Sequence, residues 1–483
     1  MSRGFLESLV GRRVRPTAHY AGALASRLTA DWVTAPLSAD AEVRWNLSTL
    51  RARSRELVRN TAFARRYVHH VAHNVAGPEG VALQAQFAGV MAQRRTEQRW
   101  AEWGEVGTAT VCGTLSWVDV QRLVMRTLPA DGEVLIRMVS GADNRFGFAL
   151  QLLDADQLDE GFSRPAEPGR NAIQMGIELD GWGRPVAYHL WAQHPSEPMG
   201  RVRQVVPADQ IIHLGDPMRP QQTRYVPWFA SVMLEMNMLR GYYEAELVAA
   251  RLAATQSGFF TRTGENEGVG FDPAQRKLTM EAEPGLFTEL DPGLQFEPWS
   301  PTHPTEAFGE FSKAMLRSIA AGLGISYSAL SQDLSDVNFS SIRAGILDER
   351  DVYRALQTWL IAHLHTRVYR AWVRMAMLAG VLDSRLDQQS YHAVQWHARG
   401  WAWVDPEKDA RAAMMAVEHG LDSRTRQAAR QGRDFYDVIR ERAAEEAFAQ
   451  QLGVTLRTRT EPRSKPDIES AKAAAPHGNG RRW

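Results

Sequence analysis

The chain has 483 residues, enough for two or three domains with separate cores or for one elongated multidomain subunit. Its 56 basic and 56 acidic residues cancel, which excludes an overall electrostatic bias toward nucleic acid. The single cysteine, Cys112, excludes an internal disulfide and a cysteine-based zinc site, and no apolar run approaches the roughly 20 residues that span a bilayer.

Charge is distributed unevenly along the chain. Residues 1–77 hold twelve arginines and five acidic residues, a net charge of +7, and residues 455–483 hold seven basic and three acidic residues, a net charge of +4. The segment between them therefore carries 37 basic and 48 acidic groups, a net charge of −11. This pattern fits a protein that touches nucleic acid at its ends, and it fits equally well solvated tails on an ordinary body.

The first predicted element is a helix from Leu47 to Val75, because apolar residues recur every three or four positions there. Gly77 and Pro78 end it. We expect the opposite face of this helix to form a basic surface, which consists of Arg51, Arg55, Arg59 and Arg66.

Strands follow a short helix that begins with a capping box at Ser116-Trp117-Val118-Asp119. The sequence Asp180-Gly181-Trp182-Gly183 predicts a hairpin between the last two strands. Roughly the first 220 residues are thus predicted to form a mixed α+β domain. The predicted strands are Glu133–Met138, Phe148–Leu153, Ile173–Leu179 and Pro185–Trp191.

Two helical rods are predicted next, on either side of an acidic insert. Apolar spacing predicts a helix from Trp228 to Ala254, about 40 Å long at 1.5 Å per residue. A second helical pattern covers 305–323. The insert, 257–304, is rich in glycine and proline and carries eight acidic and three basic residues.

A polar segment, 324–340, separates the second rod from a long predicted helix that begins near Ser341. A conspicuous loop between two long helices is typically functional. The long helix runs to Leu378 and continues into a tryptophan-rich connector that ends at 403. Shorter, charged helices are predicted for 404–450, and residues 451–483 have a composition typical of disorder.

The sequence contains no phosphate-binding loop, no HExxH motif and no nucleophile elbow. His69 and His73 are spaced as two ligands on one helix, but no third ligand has zinc-site spacing. Asp333 and Asp336 could in principle hold a metal or act as acid and base. A solvated polar loop is the simpler interpretation, because no basic residue within the loop would tune them. We therefore predict no enzymatic activity, no cofactor and no metal site.

Ten short segments between Arg44 and Glu446 resemble the lambda-like portal proteins of tailed bacteriophages. The sequence departs from the family pattern at Gln221–Tyr225, which lacks the expected glycines, and at Phe339, where a tyrosine is usual. The segments are Arg53–Asn60, Asp131–Glu133, Gly176–Asp180, Gly183–Tyr188, Val206–Ala208, Ile211–His213, Pro227–Trp228, Ala320–Tyr327, Leu330–Ser331 and Asn338–Arg343.

The resemblance implies a ring of twelve subunits at one vertex of the virion capsid, assembled in the host cytoplasm. Such a ring conducts double-stranded DNA during packaging and ejection. Its implied partners are the terminase large subunit, the major capsid and scaffolding proteins, and the head–tail adaptors; no membrane is involved. The implied regions are an N-terminal wing (1–226), a first stem helix (227–256), a clip (257–304), a second stem helix (305–323), a tunnel loop (324–340), a long helix with wing connector (341–403), a helical crown (404–450) and a basic tail (451–483).

Two sets of site residues follow from the resemblance. A bore without strong cationic contacts lets a duplex slide, because each phosphate contact adds affinity. The implied DNA-facing residues are Gln332, Asp333, Ser335, Asp336 and Asn338, and the implied docking residues of the clip are Glu281, Glu283, Glu289 and Asp291.

The alternative functions are a metal-dependent nuclease and another capsid-associated assembly protein.

Overall fold

In the computed structural model, the first half of the chain mixes helices with strands and the second half is mainly helical, so the fold is α+β as predicted. The structure describes residues 27, 31, 35–198, 201–254, 258–262, 294–298, 307–335, 339–402 and 405–456. Six predicted site residues lie outside the described ones: Glu281, Glu283, Glu289, Asp291, Asp336 and Asn338.

The predicted helix from Leu47 to Val75 is in fact two helices. Thr61 separates them with an extended backbone, φ −119° and ψ 121°. Threonine is β-branched and adopts this conformation easily, and the Thr61 N–H still donates to the Leu57 carbonyl. The helices up to the first large sheet are α1 (Ala39–Val43), α2 (Leu47–Asn60), α3 (Ala62–Val75), α4 (Val90–Trp103) and α5 (Trp117–Asp131).

Strands form two antiparallel sheets after α5, which begins with the predicted capping box at Ser116. The strands are β1 (Ala82–Ala85), β2 (Glu133–Ser140), β3 (Phe148–Leu153), β4 (Ala172–Gln174), β5 (Ile177–Leu179), β6 (Pro185–Trp191), β7 (Arg203–Pro207) and β8 (Ile211–Gly215). The order in the first sheet is β3-β2-β8 and in the second β4-β5-β6-β7. The predicted hairpin joins β5 and β6.

The predicted strand Ile173–Leu179 is split into β4 and β5 by a tight turn. Met175 and Gly176 both have positive φ, 45° and 87°. A side chain at Gly176 would place its Cβ 2.7 Å from the Asp159 carbonyl oxygen, so only glycine fits. A segment predicted as one strand of seven residues thus forms two short antiparallel strands.

Helices make up most of the second half. The remaining elements are α6 (Met233–Ala254), β9 (Gly258–Arg262), β10 (Leu294–Pro298), α7 (Ala307–Gly322), α8 (Tyr327–Ser331), α9 (Phe339–Leu360), α10 (Thr366–Leu378), β11 (Val394–His397), α11 (Pro406–Glu418), α12 (Arg424–Arg430) and α13 (Phe435–Gln451). The long helix predicted from Ser341 to Leu378 is continuous, with one π-helical turn at Ile361–His365 between α9 and α10.

An aromatic cluster joins the two halves of the chain. Trp100 of α4 stacks on Trp103 with ring centroids 4.7 Å apart, and its edge-to-face partner Trp372 of α10 lies 5.2 Å away. Trp396 of β11, 6.1 Å from Trp100, completes the cluster. Aromatic pairs at these distances add to the free energy of burial, so α10 and β11 are fixed against the mixed N-terminal part.

The basic surface predicted for the first helix is partly internal. Arg51 is only 1% exposed, because the helical repeat places position 51 on the face that packs inward. Arg55 and Arg66 are half-buried, and Arg59 is exposed. The prediction was therefore wrong for Arg51. The buried face of α2 consists of Leu47, Arg51, Ser54 and Leu57.

Arg51 tolerates burial because carboxylates surround it. It donates to Glu133 at 2.7 Å and also to Asp156. Arg55, one turn further along α2, donates to Asp131 at 2.7 and 2.8 Å and to Asp156 at 2.6 Å. These bonds tie α2 to the end of α5 and to the turn that follows β3.

Glu133 is the centre of this ionic network. It is fully buried, and the Arg224 Nε donates to both of its oxygens at 3.0 Å. The His213 Nε2 lies 3.1 Å from one oxygen. Burial alone would raise the pKa of Glu133, but Arg224, His213 and Arg51 hold that pKa far below its ordinary value of 4.5.

We predict that Glu133→Gln lowers the free energy of unfolding by about 3–5 kcal/mol, because it leaves the buried Arg224 guanidinium without its counter-charge and removes one of the two carboxylates that pair with Arg51. Urea denaturation followed by tryptophan fluorescence measures the change. Glu446→Gln, which removes an exposed pair at 3.9 Å, is the control and should cost less than about 1 kcal/mol.

The same network predicts a pH dependence with a definite sign. Because folding depresses the pKa of Glu133, its contribution is complete above the ordinary value of 4.5 and is lost as the pH falls below it. The stability difference between the wild type and Glu133→Gln should therefore shrink on acidification. A difference that grows between pH 6 and pH 4 would contradict this assignment.

Candidate functional site

The candidate site is the polar segment between α7 and α9, of which the structure describes residues 323–335. The chain leaves α7 through Gly324, whose φ is +68°. Ser326 then caps a short helix, α8, by accepting a hydrogen bond from the Ala329 N–H at 3.2 Å. The sequence-based prediction of a single loop missed α8. The available signal was Ser326, because serine is a preferred N-cap residue whose hydroxyl accepts a hydrogen bond from the backbone N–H three residues later. Gln332 ends α8 in the left-handed conformation, with φ +60°.

Side chains from α3 and α9 hold the first half of this segment. The Tyr67 hydroxyl donates to the Leu323 carbonyl at 3.1 Å, and the Arg66 Nε donates to the Ala329 carbonyl at 3.2 Å. On the other side, the Ser326 N–H donates to the Glu349 carboxylate at 2.7 Å. Arg66, predicted as part of a basic surface, therefore acts as an anchor for the segment.

Glu349 is held ionised by its neighbours. Burial opposes ionisation, but His70, 3.8 Å away, and the hydrogen bonds from Ser326 lower the pKa of Glu349 below its ordinary value. An ionised carboxylate is a stronger acceptor than a neutral one. Sequence reasoning missed Glu349 because it lies within an uninterrupted helical pattern, with no local feature to distinguish it.

Asp333 is the charged centre of the second half. Its carboxylate accepts hydrogen bonds from the Ser335 N–H at 3.0 Å and from the Tyr327 hydroxyl at 2.8 Å. The bonds from Ser335, followed by that from Tyr327, lower the pKa of Asp333 to about 2. The segment therefore presents a fixed negative charge beside two exposed polar residues, Gln332 and Ser335.

The structure does not assemble the histidines of α3 and Asp333 into a metal site. His69 and His73 are exposed, and their pKa values are lowered by partial burial and then by nearby arginines. Within the described ranges, the grouping that approaches metal-ligand geometry is Asp154, Asp156 and His194. Both of these aspartates already accept hydrogen bonds from arginines of α2.

We predict that Glu349→Ala loosens the start of the segment without unfolding the protein. A hydrogen bond to a charged acceptor contributes about 1.5–3 kcal/mol, so amide exchange of the peptide around Ser326 should accelerate more than about tenfold. Hydrogen–deuterium exchange measures this rate. Glu310→Ala, which removes an exposed carboxylate from α7, should leave the rate unchanged.

Comparison with known proteins identifies the family. The family model for phage portal proteins of the lambda family matches residues 25–357. The probable portal protein of Halomonas phage phiHAP-1 is 33% identical over 449 residues, which cover 89% of this chain and 86% of that protein. Portal protein B of Escherichia phage lambda is 22% identical over 492 residues, which cover 89% of this chain and 87% of that protein.

A solved structure, the neck of an empty gene transfer agent particle computed with C6 symmetry, contains a chain with 14% identity and a TM-score of 0.45. The matched residues cover 79% of this chain and 93% of the chain in that structure. None of the described helices has an apolar stretch of the length that crosses a membrane. By the family match and the similarity to the phiHAP-1 protein, the chain belongs to the lambda family of phage portal proteins.

Proposed function

We propose that this chain forms a ring of twelve subunits at one capsid vertex and conducts double-stranded DNA during packaging and ejection. The observation that carries the proposal is the match to the lambda portal family over residues 25–357. In this role the ring docks the terminase large subunit, contacts the major capsid and scaffolding proteins, and later joins the head–tail adaptors. Its work is mechanical, and the proposal assigns the chain no catalytic step.

The elements suit the regions of such a subunit. The mixed part up to residue 226 serves as the wing, and α6 and α7 serve as the stem. Tyr242 of α6 contacts Phe308 and Phe311 of α7 with ring centroids 5.6 and 5.1 Å apart, so the two helices pack as a pair. A pair of this kind, repeated by a rotation of about 30°, would close a ring of twelve with one recurring contact.

The segment around Asp333 serves as the tunnel loop beside the DNA. Its base is anchored by Glu349 and Arg66, which supports a loop that keeps its position under load. Its ionised Asp333 repels phosphates, so the duplex meets no deep electrostatic well as it slides. Residues 404–450 serve as the crown.

The acidic insert serves as the clip, which docks the packaging motor and then the neck proteins. Residues 257–304 carry eight acidic and three basic residues, and that net charge of −5 disfavours contact with DNA. Glu281, Glu283, Glu289 and Asp291 are the proposed docking residues, and they lie outside the described ranges.

Size in solution tests the proposal directly. Twelve chains of 54.1 kDa form a particle that mass photometry and electron microscopy distinguish at once from a monomer. The nuclease alternative would instead be established if the protein were monomeric, cleaved double-stranded DNA in the presence of a divalent cation, and lost this activity in the Asp333→Ala variant. A small fixed oligomer without an axial channel would favour another capsid-associated assembly role.

We predict that Asp333→Arg with Asp336→Arg leaves assembly normal and slows or arrests packaging. Twelve copies would place roughly 24 new cations around the channel, where they form a salt-sensitive trap for the phosphate backbone. An in vitro packaging assay measures the rate and the length of DNA packaged. The control is Asp333→Asn with Asp336→Asn, which removes the same charges without adding cations. Normal packaging by the arginine variant would place the loop away from the DNA.

A further inference from the structure

Three arginines and a tryptophan form a fixed cationic cluster beside the C-terminal end of α3. Trp401, in the connector after β11, donates from its Nε1 to the Asn74 Oδ1 at 3.1 Å. The guanidinium carbons of Arg350 and Arg354, both on α9, lie 5.9 and 5.6 Å from the centre of its ring. Arg399 donates to the same Asn74 oxygen at 3.1 Å. We call Arg350, Arg354 and Arg399 the arginine cluster.

Backbone carbonyls hold two members of the cluster in place. Arg399 also donates to the His73 carbonyl at 2.7 Å, and Arg350 donates to the Ala402 carbonyl at 3.1 Å. A carbonyl oxygen orients a guanidinium group, but it carries no charge and does not neutralise one. The arginine cluster is therefore a built arrangement of cations, unlike mobile side chains on an open surface.

The nearby carboxylates do not balance this charge. Asp409 already pairs with another arginine of α9 at 3.1 Å, and Asp351 pairs with Arg354 where both side chains are largely exposed. Exposed pairs of this kind are weak. Within the described ranges, Arg350 and Arg399 form no ion pair, although both are half-buried.

The members of the cluster also repel one another. Burial, followed by the charges of Arg354 and Arg399, lowers the pKa of Arg350 below its ordinary value of 12.5. Burial lowers the pKa of Arg399 as well. Arginine remains protonated despite such shifts. Cations that are held together against their repulsion, by fixed partners, are typical of a site that receives an anion.

The cluster lies on a different side of α9 from the candidate site described above. Arg350 and Arg354 are one turn apart and share one face of the helix. That face is turned by about 100–140° from Glu349, at 100° per residue. Glu349 is the residue that binds Ser326 at the start of the polar segment. An anion bound at the cluster would therefore not contact the surface assigned to the sliding duplex.

We propose that the arginine cluster binds phosphate groups of double-stranded DNA, as a holding contact separate from the path of the moving duplex. This inference rests on the ring and on the DNA conduction proposed above. Guanidinium groups match phosphate oxygens with paired N–H donors. Contacts to phosphates carry no base information, so the binding should not depend on DNA sequence. Repetition around the ring would let several copies hold one duplex.

DNA binding by assembled rings tests the proposal, with fluorescence anisotropy of a labelled, covalently closed circular duplex. A closed circle cannot thread a closed ring, so it reports surfaces outside the channel. The test variant is Arg350→Gln with Arg399→Gln. We expect its Kd to rise at least about tenfold, and the slope of log K against log salt to become shallower by roughly 1.8 for each subunit in contact.

Two further variants control for charge and for folding. Arg411→Gln with Arg442→Gln removes two exposed arginines that pair with neighbouring glutamates on α11 and α13, and it should bind DNA as the wild type does. Arg354→Gln changes the most exposed member of the cluster, which bears little on the fold. If the double variant fails to assemble, this single variant decides, and its Kd should rise at least about threefold.

Competition identifies the source of the phosphate. Unlabelled duplex should displace the labelled circle, whereas inorganic phosphate at the same concentration of phosphate groups should not. Equal displacement by inorganic phosphate would establish a site for single anions and overturn binding of the duplex. Binding of a linear duplex without binding of the closed circle would place the cluster in the channel and overturn the holding role.

The remaining outcomes separate this proposal from the proposed function. If rings form and the cluster variants bind DNA as the wild type does, the cluster does not contact DNA and the ring proposal stands. Loss of poly-glutamate binding by these variants, with DNA binding unchanged, would assign the cluster to an acidic protein and overturn the proposal. If the wild type forms no ring, the proposed function itself fails.

Discussion

The constraint on which the rest of the structure depends is the buried charge of Glu133. A carboxylate removed from water is tolerated only when donors surround it, and here the donors come from three distant parts of the chain. Arg51 belongs to α2, His213 to β8, and Arg224 to the stretch that leads into α6. Because all of them must reach one residue, the first helices, the first sheet and the approach to α6 cannot shift independently.

Backbone geometry makes this meeting possible. Gly132 ends α5 in the left-handed conformation, with φ +84°, and turns the chain directly into β2. A Cβ at this position would lie 2.3 Å from the Val226 carbonyl carbon, so a larger residue would push away the segment that carries Arg224. Gly132, Glu133 and Arg224 thus lie in one tightly packed contact between the end of α5, the start of β2 and the segment before α6. This contact fixes the position at which α6, the proposed stem helix, leaves the mixed N-terminal part.

Local periodicity predicted most of the elements correctly, since it is a local property. The strands Phe148–Leu153 and Pro185–Trp191 have the predicted bounds, and the hairpin between β5 and β6 follows from its turn residues. What failed depends on distant partners. Nothing near Arg51 in the sequence indicates that Glu133, 82 residues away, will receive it. An arginine whose counter-charge is remote looks the same in the sequence as a solvated one.

The candidate site shows the same division. Its composition marked 324–340 as a polar segment, and the described part is indeed polar and carries Asp333. The anchors Arg66 and Glu349 come from helices whose patterns continue without interruption, so their role emerges only when α3 and α9 pack beside the segment. A loop that can be recognised by composition therefore owes its position to residues that composition does not distinguish.

Ion pairs have different structural roles in the two parts of the described chain. In the N-terminal part, arginines and carboxylates from distant elements are paired in buried or half-buried positions, which fixes α2, α5 and β2 against one another. In the helices of 405–456, pairs such as Arg411 with Glu407 and Arg440 with Asp437 join residues four or three positions apart on exposed helix surfaces. Exposed pairs of this kind contribute little to stability. A change of charge in these helices should therefore perturb the fold of the subunit much less than a change at Glu133, whose partners hold three distant parts of the chain together.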